Sequence, residues 1–75
     1  MARLSVIIPC LNEANCIERT LASLQPLRSE GHEVIVSDGG SNDGTTDLAH
    51  PLADRIVTSP QGRATQMNRG AAAAS

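Results

Sequence analysis

Residues 34–45 carry the stretch V-I-V-S-D-G-G-S-N-D-G-T, in which a short apolar run leads directly into an acidic, glycine-rich turn. Val34, Ile35 and Val36 are β-branched and predict a buried strand, so that Asp38 lies where the strand ends and its loop begins. Open α/β sheets bind their ligands at this carboxyl edge of the strands. The stretch therefore predicts a parallel sheet with a polar site at one edge.

A second strand end of the same kind comes earlier in the chain. The apolar residues 4–8 predict a strand that ends at Pro9, the first residue of the segment P-C-L-N-E at residues 9–13. Two such strand ends suggest half of a nucleotide site, in which Asp38 accepts hydrogen bonds from a ribose hydroxyl or a nucleobase N–H. The start of the 9–13 segment would flank a base or ribose. Asn12 and Glu13 either face the ligand or tie down their own loop.

The remaining chain continues the alternation of strands and helices. Apolar spacing predicts a helix that begins at an Asn15–Glu18 capping box and cannot continue regularly past Pro26. A short helix follows the acidic turn, and Arg55–Thr58 predicts a third strand. The last helix has an apolar stripe formed by Ala64, Met67, Ala71 and Ala74. The order β-α-β-α-β-α predicts an α/β fold with a Rossmann-like parallel sheet, because helical crossovers join parallel strands.

The start of the last helix is the third polar feature. Gly62 precedes Arg63, and a helix N-terminus beside an arginine suits an anion, because the helix dipole and the guanidinium both favour phosphate. The chain has neither a G-x-G-x-x-G turn nor a lysine for a P-loop, so the first turn is not expected to hold a pyrophosphate. The alternative for Arg63 is an exposed side chain without a ligand.

Composition excludes several function classes. A chain of 75 residues permits one small domain. Its net charge of −2 and its lack of aromatic residues predict that it does not bind nucleic acid. Cys10 and Cys16 have no histidine at ligand spacing, which predicts two free thiols and a reducing, cytoplasmic location. No apolar run approaches the roughly 20 residues of a membrane-spanning helix. So small a core predicts marginal stability.

Three segments taken together resemble family 2 glycosyltransferases. They are S-V-I-I-P-C-L-N-E-A from Ser5, V-I-V-S-D-G-G-S-N-D-G-T from Val34 and G-R-A-T-Q-M-N-R-G-A from Gly62. The third segment resembles one bacterial subgroup in particular. The resemblance implies a GT-A fold, whose Rossmann-like N-terminal part binds a nucleotide-diphosphate sugar for transfer of the sugar to an acceptor hydroxyl.

The resemblance also implies which residues bind the donor. Asp38 matches the first acid of the family's usual D-D-G-S, and Gly39 stands where the family more often has a second Asp that commonly contacts the base. Arg63 matches a basic position near the donor. The full set of implied donor-binding residues is Pro9, Asn12, Glu13, Asp38, Gly39 and Arg63.

Family members carry two further features, a later D-x-D motif that holds Mg²⁺ or Mn²⁺ and a still later general base. We expect residues 1–75 to be a partial GT-A nucleotide-sugar-binding domain that ends before D-x-D. Such a domain would have no catalytic residue and no metal of its own, would be inactive alone, and would have the rest of the parent chain as a partner. Only the full-length enzyme would need the divalent metal, and its association with a membrane stays open.

Two alternatives belong to other classes. A non-catalytic nucleotide-binding α/β module would share the same strand ends and would differ only in lacking a D-x-D motif in its parent chain. A phosphoacceptor domain phosphorylated at Asp38 needs an acidic cluster after the first strand and a lysine further on. Glu13 is a weak candidate for the first requirement, and the lysine is missing.

Overall fold

The computed structural model describes residues 3–74, in which three strands alternate with α-helices. The strands are β1 (Ser5–Cys10), β2 (Glu33–Asp38) and β3 (Arg55–Thr58). The helices are α1 (Ile17–Ala22), α2 (Gln25–Ser29), α3 (Thr45–Ala49), which continues into a 3-10 turn at His50–Leu52, and α4 (Arg63–Ala73). The predicted β3 is confirmed residue for residue. The single helix predicted between β1 and β2 is wrong, because the structure divides it into α1 and α2, and Pro26 lies in the first turn of α2, a position that proline tolerates.

The three strands form one parallel sheet in the order β1-β2-β3. Cys10 pairs with Asp38, and Asp38 pairs with Thr58, so the carboxyl ends of the strands lie side by side at one edge. All six residues of β2 are buried, because the strand is flanked on both sides and covered on both faces. The predicted α/β class with a parallel sheet is confirmed.

Helices cover both faces of the sheet. On one face, α1 and α3 pack on β2 through Ile17, Leu21, Val34, Val36 and Ala49. On the other face lies α4, so close to β1 that a Cβ atom added at Gly70 would stand 2.4 Å from Cγ2 of Ile7. This close approach brings the first turn of α4 to the carboxyl edge of β1 and β2.

Two details of the first unit differ from the prediction. β1 does not end at Pro9 but continues to Cys10, which Pro9 permits because β1 is an edge strand of the described sheet. The Asn15–Glu18 capping box is wrong. α1 begins after Cys16, and no described side chain caps it, because the carbonyl of Glu13 already accepts the N–H groups of Cys16 and Ile17 at 3.0 and 2.8 Å.

The apolar stripe predicted for the last helix is also wrong. Ala64, Met67 and Ala71 are exposed, whereas the buried residues of α4 are Gln66 and Gly70. Alanine side chains bury little apolar surface, so a stripe of alanines does not determine which face of the helix is buried. The absence of a side chain at Gly70 and the hydrogen bonds of Gln66 rotate the helix to this orientation.

Charged residues at the opposite, amino edge of the sheet serve the fold. Glu33 is buried at the start of β2 and forms ion pairs with Arg3 at 3.3 Å and Arg55 at 3.6 Å. Asp54 accepts the N–H of Val34 at 2.7 Å and so joins the entry of β3 to β2. These pairs align the strands and lie far from the carboxyl edge.

Candidate functional site

The loops that follow β1 and β2 are bonded to each other. We name residues 11–16 the first loop and residues 39–44 the acidic loop. The backbone N–H of Asn12 donates to Oγ of Ser41 at 2.8 Å, and the N–H of Asn42 donates to Oδ1 of Asn12 at 2.9 Å. Asn12 has φ 51°, a left-handed conformation that asparagine tolerates better than most residues. Its side chain therefore ties down the loops.

Two further bonds extend this connection toward α3. The N–H of Glu13 donates to Oγ1 of Thr45 at 2.9 Å, and the N–H of Ala14 donates to Oδ2 of Asp43 at 3.1 Å. The hydrogen bond from the Thr45 hydroxyl, followed by those from the backbone, keeps the pKa of Asp43 below its ordinary value despite the opposing effect of desolvation. Asp43 also accepts the N–H of Thr45, the first residue of α3, at 3.1 Å, so this carboxylate bonds both the first loop and the start of α3.

Asp38 is buried at the end of β2 and surrounded by donors. Oδ2 accepts the N–H groups of Gly40 and Ser41 at 3.0 and 2.9 Å, and Oδ1 accepts the Ser41 hydroxyl at 2.5 Å and the Cys10 thiol at 3.5 Å. Burial alone would raise the pKa of Asp38, but these hydrogen bonds outweigh it and hold the pKa below 3.8. Asp38 is therefore an ionised acceptor whose lone pairs shape the acidic loop.

The thiol of Cys10 lies beside this carboxylate. Burial, followed by the hydrogen bond to Asp38 and the negative charge of Asp38, raises the pKa of Cys10 to about 12. Only the thiolate of cysteine is an effective nucleophile, so Cys10 behaves as a small buried donor. Cys10 and Cys16 are both free, as the sequence predicts.

Gln66 of α4 is the residue that sequence reasoning missed. Its Nε2 donates to the carbonyl oxygens of Cys10 and Ser37, both at 2.9 Å, and its Oε1 accepts the N–H of Gly62 at 3.2 Å. One buried amide thus bonds the ends of β1 and β2 and the residue before α4. Gly39 lies against it, because a Cβ atom there would stand 2.8 Å from Oε1 of Gln66.

A cleft opens between the first loop and the start of α4, and we name it the loop–helix cleft. Its volume is about 200 Å³, and its lining residues are Pro9, Cys10, Leu11, Glu13, Arg63 and Gln66. Arg63 is exposed at the first position of α4, and no described side chain caps the helix. The N–H groups of the first turn of α4 and the Arg63 guanidinium therefore remain free to bind an anion.

A second cavity of about 200 Å³ lies on the other side of the first loop, between β1 and α1. Glu13 lines both cavities, and its Oε2 accepts a hydrogen bond from the Cys16 thiol at 3.1 Å. That bond raises the pKa of Cys16 above its ordinary value. Glu13 is therefore anchored on the α1 side while it remains part of the loop–helix cleft.

Comparison with known proteins identifies the family. The sequence profile described as glycosyl transferase family 2 matches residues 5–75. The chain belongs to glycosyl transferase family 2. The resemblance inferred from the three segments is thereby confirmed.

Two curated members of family 2 glycosyltransferases are similar in sequence. The succinoglycan biosynthesis protein ExoA of Rhizobium meliloti (strain 1021) is 47% identical over 49 residues, which are 64% of this chain and 15% of ExoA. The validoxylamine A glucosyltransferase of Streptomyces hygroscopicus subsp. jinggangensis (strain 5008) is 46% identical over 55 residues, which are 71% of this chain and 13% of that protein. The chain thus spans less than a fifth of these relatives.

A solved structure of a related protein has a similar fold. It is the glucosyl-3-phosphoglycerate synthase of Mycobacterium tuberculosis in complex with Mn²⁺, UDP and glucosyl-3-phosphoglycerate. The TM-score is 0.85 at 32% identity, and the match covers 97% of this chain and 30% of the synthase. The expectation that these residues form the N-terminal part of a GT-A fold is confirmed.

Within this family 2 chain, the structure gathers three of the six predicted donor-binding residues. Pro9, Glu13 and Arg63 line the loop–helix cleft. Asp38 and Asn12 are not among the lining residues, and their side chains hold the two loops instead. Gly39 does not line the cleft either, but it packs against Gln66, which does. A glycine four residues after a glutamine in one helix was the available signal for Gln66, because such a glycine often marks a close packing contact.

Two findings bear on cofactors and membranes. Among residues 3–74, no three His, Cys, Asp or Glu side chains come together in a way that could hold a metal ion. Over the same residues, none of the helices has the length and apolar character to cross a bilayer.

Proposed function

We propose that this chain is the donor-binding portion of a glycosyltransferase and that the nucleoside diphosphate of a nucleotide-diphosphate sugar binds in the loop–helix cleft. One observation carries the proposal. The carboxyl ends of β1 and β2 and the free N-terminus of α4, which begins with Arg63, converge on one cleft. This is the edge of an open α/β sheet at which ligands bind.

The phosphate end of the ligand is assigned to α4. The helix has 11 residues, so its dipole is developed, and its first N–H groups lack caps among the described residues. Arg63 adds a planar guanidinium that bonds phosphate oxygens with two donors at once. Because the chain has no lysine, the guanidinium groups of its arginines are the permanently charged side-chain donors available to a diphosphate.

The nucleoside end is assigned to the first loop. Glu13 places a carboxylate in the cleft, which can accept a hydrogen bond from a ribose hydroxyl or a base N–H, and Pro9 supplies an apolar wall. The bonds from the first loop to Ser41, Asp43 and Thr45 fix the loop before any ligand arrives. A fixed loop loses little conformational entropy on binding, which favours affinity.

The solved synthase structure supports the choice of ligand. Its structure is a complex with Mn²⁺ and UDP, so UDP is the first nucleotide to test on this chain. We propose that a divalent metal serves the whole protein. The residues described here do not fit such a metal, since they bring no three ligands together, and we derive no step through it. We further propose a cytoplasmic reaction, which the two free thiols support.

The proposal is tested by calorimetric titration of UDP into the chain and two variants. Arg63→Gln should weaken UDP binding at least about tenfold, because a charge-assisted hydrogen bond contributes roughly 1.5–3 kcal/mol. Arg69→Gln is the matched control, an exposed arginine on the same helix outside the cleft lining, and should change affinity less than about twofold.

Uridine provides a second control, because it lacks the diphosphate and should bind far more weakly than UDP. If Arg63→Gln and Arg69→Gln weakened UDP binding equally, the assignment of the phosphates to the start of α4 would be refuted. Equal affinities for uridine and UDP would refute the phosphate site altogether.

A further inference from the structure

We infer that Gln66 is a positioning residue of the loop–helix cleft and that Gly39 lacks a side chain because the amide of Gln66 occupies the space. The inference deepens the proposed function, and its binding test rests on that proposal. It assigns roles to two residues that the geometry links directly, one on α4 and one on the acidic loop.

The hydrogen bonds of Gln66 account for a positioning role. Only 5% of the residue is exposed, yet both protons of its amide reach backbone carbonyls, those of Cys10 and Ser37. These carbonyls belong to the ends of neighbouring strands, while the Gly62 N–H that Gln66 accepts precedes α4. A single side chain therefore sets the distance between the start of α4 and the strand ends. Replacing it would remove one hydrogen bond from each of three buried or half-buried backbone groups.

The reason for glycine at position 39 is steric. The described glycines with left-handed φ values are Gly31, Gly40, Gly44 and Gly62, so the backbone at Gly39 is open to any residue. A Cβ atom at Gly39 would nevertheless stand 2.8 Å from Oε1 and 2.9 Å from Cδ of Gln66. The Gly39 N–H also donates to the Cys10 carbonyl, the acceptor that Gln66 shares. Gly39 and Gln66 are thus one packed unit.

This unit has a consequence for ligand binding. Position 39 presents no side chain to the cleft, and Gln66 lines it instead. If the amide is lost, α4 can shift against the strand ends, and the phosphate-binding first turn moves relative to the first loop. Because the two ends of one nucleotide must be bound together, such a shift weakens binding more than it weakens the fold.

A stability cycle tests the packing without any ligand. We compare Gly39→Ala, Gln66→Ala and the double variant with the unchanged chain by urea unfolding. Gly39→Ala should raise the unfolding equilibrium constant at least ~10-fold when Gln66 is present, because overpacking is costly, and less than ~3-fold when residue 66 is alanine. If Gly39→Ala raised the unfolding equilibrium constant equally with glutamine and with alanine at position 66, the steric coupling of the two residues would be overturned.

A binding series tests the positioning role. With folded fractions matched, Gln66→Ala should weaken UDP binding about tenfold or more, because the phosphate and nucleoside contacts no longer coincide. Val34→Ala is the control, since it lowers stability from the buried start of β2, and its affinity should stay within about twofold of the unchanged chain. Equal affinities of these two variants would overturn the positioning role alone. An unchanged chain that binds no UDP would overturn the proposed function and the positioning role with it.

The unchanged chain offers a measurement that does not depend on the folding of any variant. Both side-chain N–H protons of Gln66 are hydrogen-bonded to carbonyls, so their ¹H–¹⁵N signals should exchange slowly and should shift when UDP binds. Gln25 is a matched control, because its Nε2 also donates to two carbonyls, those of Leu21 and Leu52, away from the cleft. The inference would be overturned if UDP shifted the backbone signals of the cleft but left the side-chain signals of Gln66 unchanged, like those of Gln25.

Discussion

Because α4 packs closely on β1, a substitution that usually stabilises a helix is expected to destabilise this chain. Gly70 lies within α4 and faces Ile7 of β1. Alanine is the better helix former, so Gly70→Ala would ordinarily stabilise a helix. Here the new Cβ would stand 2.4 Å from Cγ2 and 3.4 Å from Cδ1 of Ile7. We predict that Gly70→Ala destabilises the chain.

The magnitude follows from two opposing effects. Replacing glycine by alanine in a helix interior gains about 1 kcal/mol. Overpacking typically costs 1–3 kcal/mol, and a contact about 1 Å inside the optimal carbon–carbon separation of ~3.5–4.0 Å places this site at the upper end of that range. The net loss should be about 1–2 kcal/mol. For a domain of this size, that is a sizeable part of a total stability of roughly 4–11 kcal/mol.

The assay is urea unfolding followed by far-UV circular dichroism, since the chain has no aromatic residue to report by fluorescence. Asn68→Ala, at an exposed position of α4, is the control for helix propensity and should stabilise by a few tenths of a kcal/mol. In an Ile7→Ala background the clash is absent, so Gly70→Ala should stabilise by up to about 1 kcal/mol. A stabilising effect of Gly70→Ala with Ile7 present would refute the packing described here.

Further predictions concern three buried polar groups, those of Asp38, Cys10 and Ser37. Asp38→Asn should cost about 1–3 kcal/mol, because an amide nitrogen would face donors of the acidic loop. The lowered pKa of Asp38 means that its contribution is present above pH 3.8 and lost as the pH falls through its folded-state pKa, so acid unfolding should be shallower in Asp38→Asn than in the unchanged chain. In the folded chain at pH 8, iodoacetamide should modify Cys16 at least ~10-fold faster than Cys10, since Cys10 is buried and has a pKa of about 12, and equal rates would contradict this burial. The raised pKa of Cys10 also predicts that the contribution of its thiol to stability is fully present below pH 9.0 and is lost as the pH rises from there toward 12. Ser37→Ala should change the free energy of unfolding by less than about 0.5 kcal/mol, because Oγ of Ser37 is buried with no hydrogen-bond partner among residues 3–74, and a loss above ~1 kcal/mol would reveal a bond to this hydroxyl.

Much of the fold was predictable from local sequence. The β-branched runs Val6–Ile8 and Val34–Val36 are typical of buried parallel strands, and the helical spacing between them indicates crossovers. From parallel strands it follows that both strand ends share one edge, so the sequence places Pro9, Glu13 and Asp38 in the same region. These conclusions need no knowledge of side-chain contacts, so the local sequence is sufficient for them.

The remaining features depend on contacts between residues far apart in the chain. Asn12 and Ser41 are separated by 29 residues and meet only after the sheet forms, so no periodic pattern signals their bond. Gln66 is polar, and its burial depends on carbonyls from two other elements. The alanine-rich composition of α4 gave no contrast from which to choose its buried face. Polar networks of this kind are specified by the tertiary structure and cannot be read from a single helix.

The central claim is that a nucleoside diphosphate binds at the carboxyl edge of β1 and β2, and an amide ¹H–¹⁵N spectrum of the chain tests it most directly. Spectra would be recorded with and without UDP, GDP and dTDP. We predict dispersed signals that shift on addition of nucleotide at Glu13, Gly39 and the first turn of α4 from Arg63, while signals at the amino edge near Glu33 stay in place. Dispersed signals that no nucleotide moves, or shifts confined to the amino edge, would contradict the account.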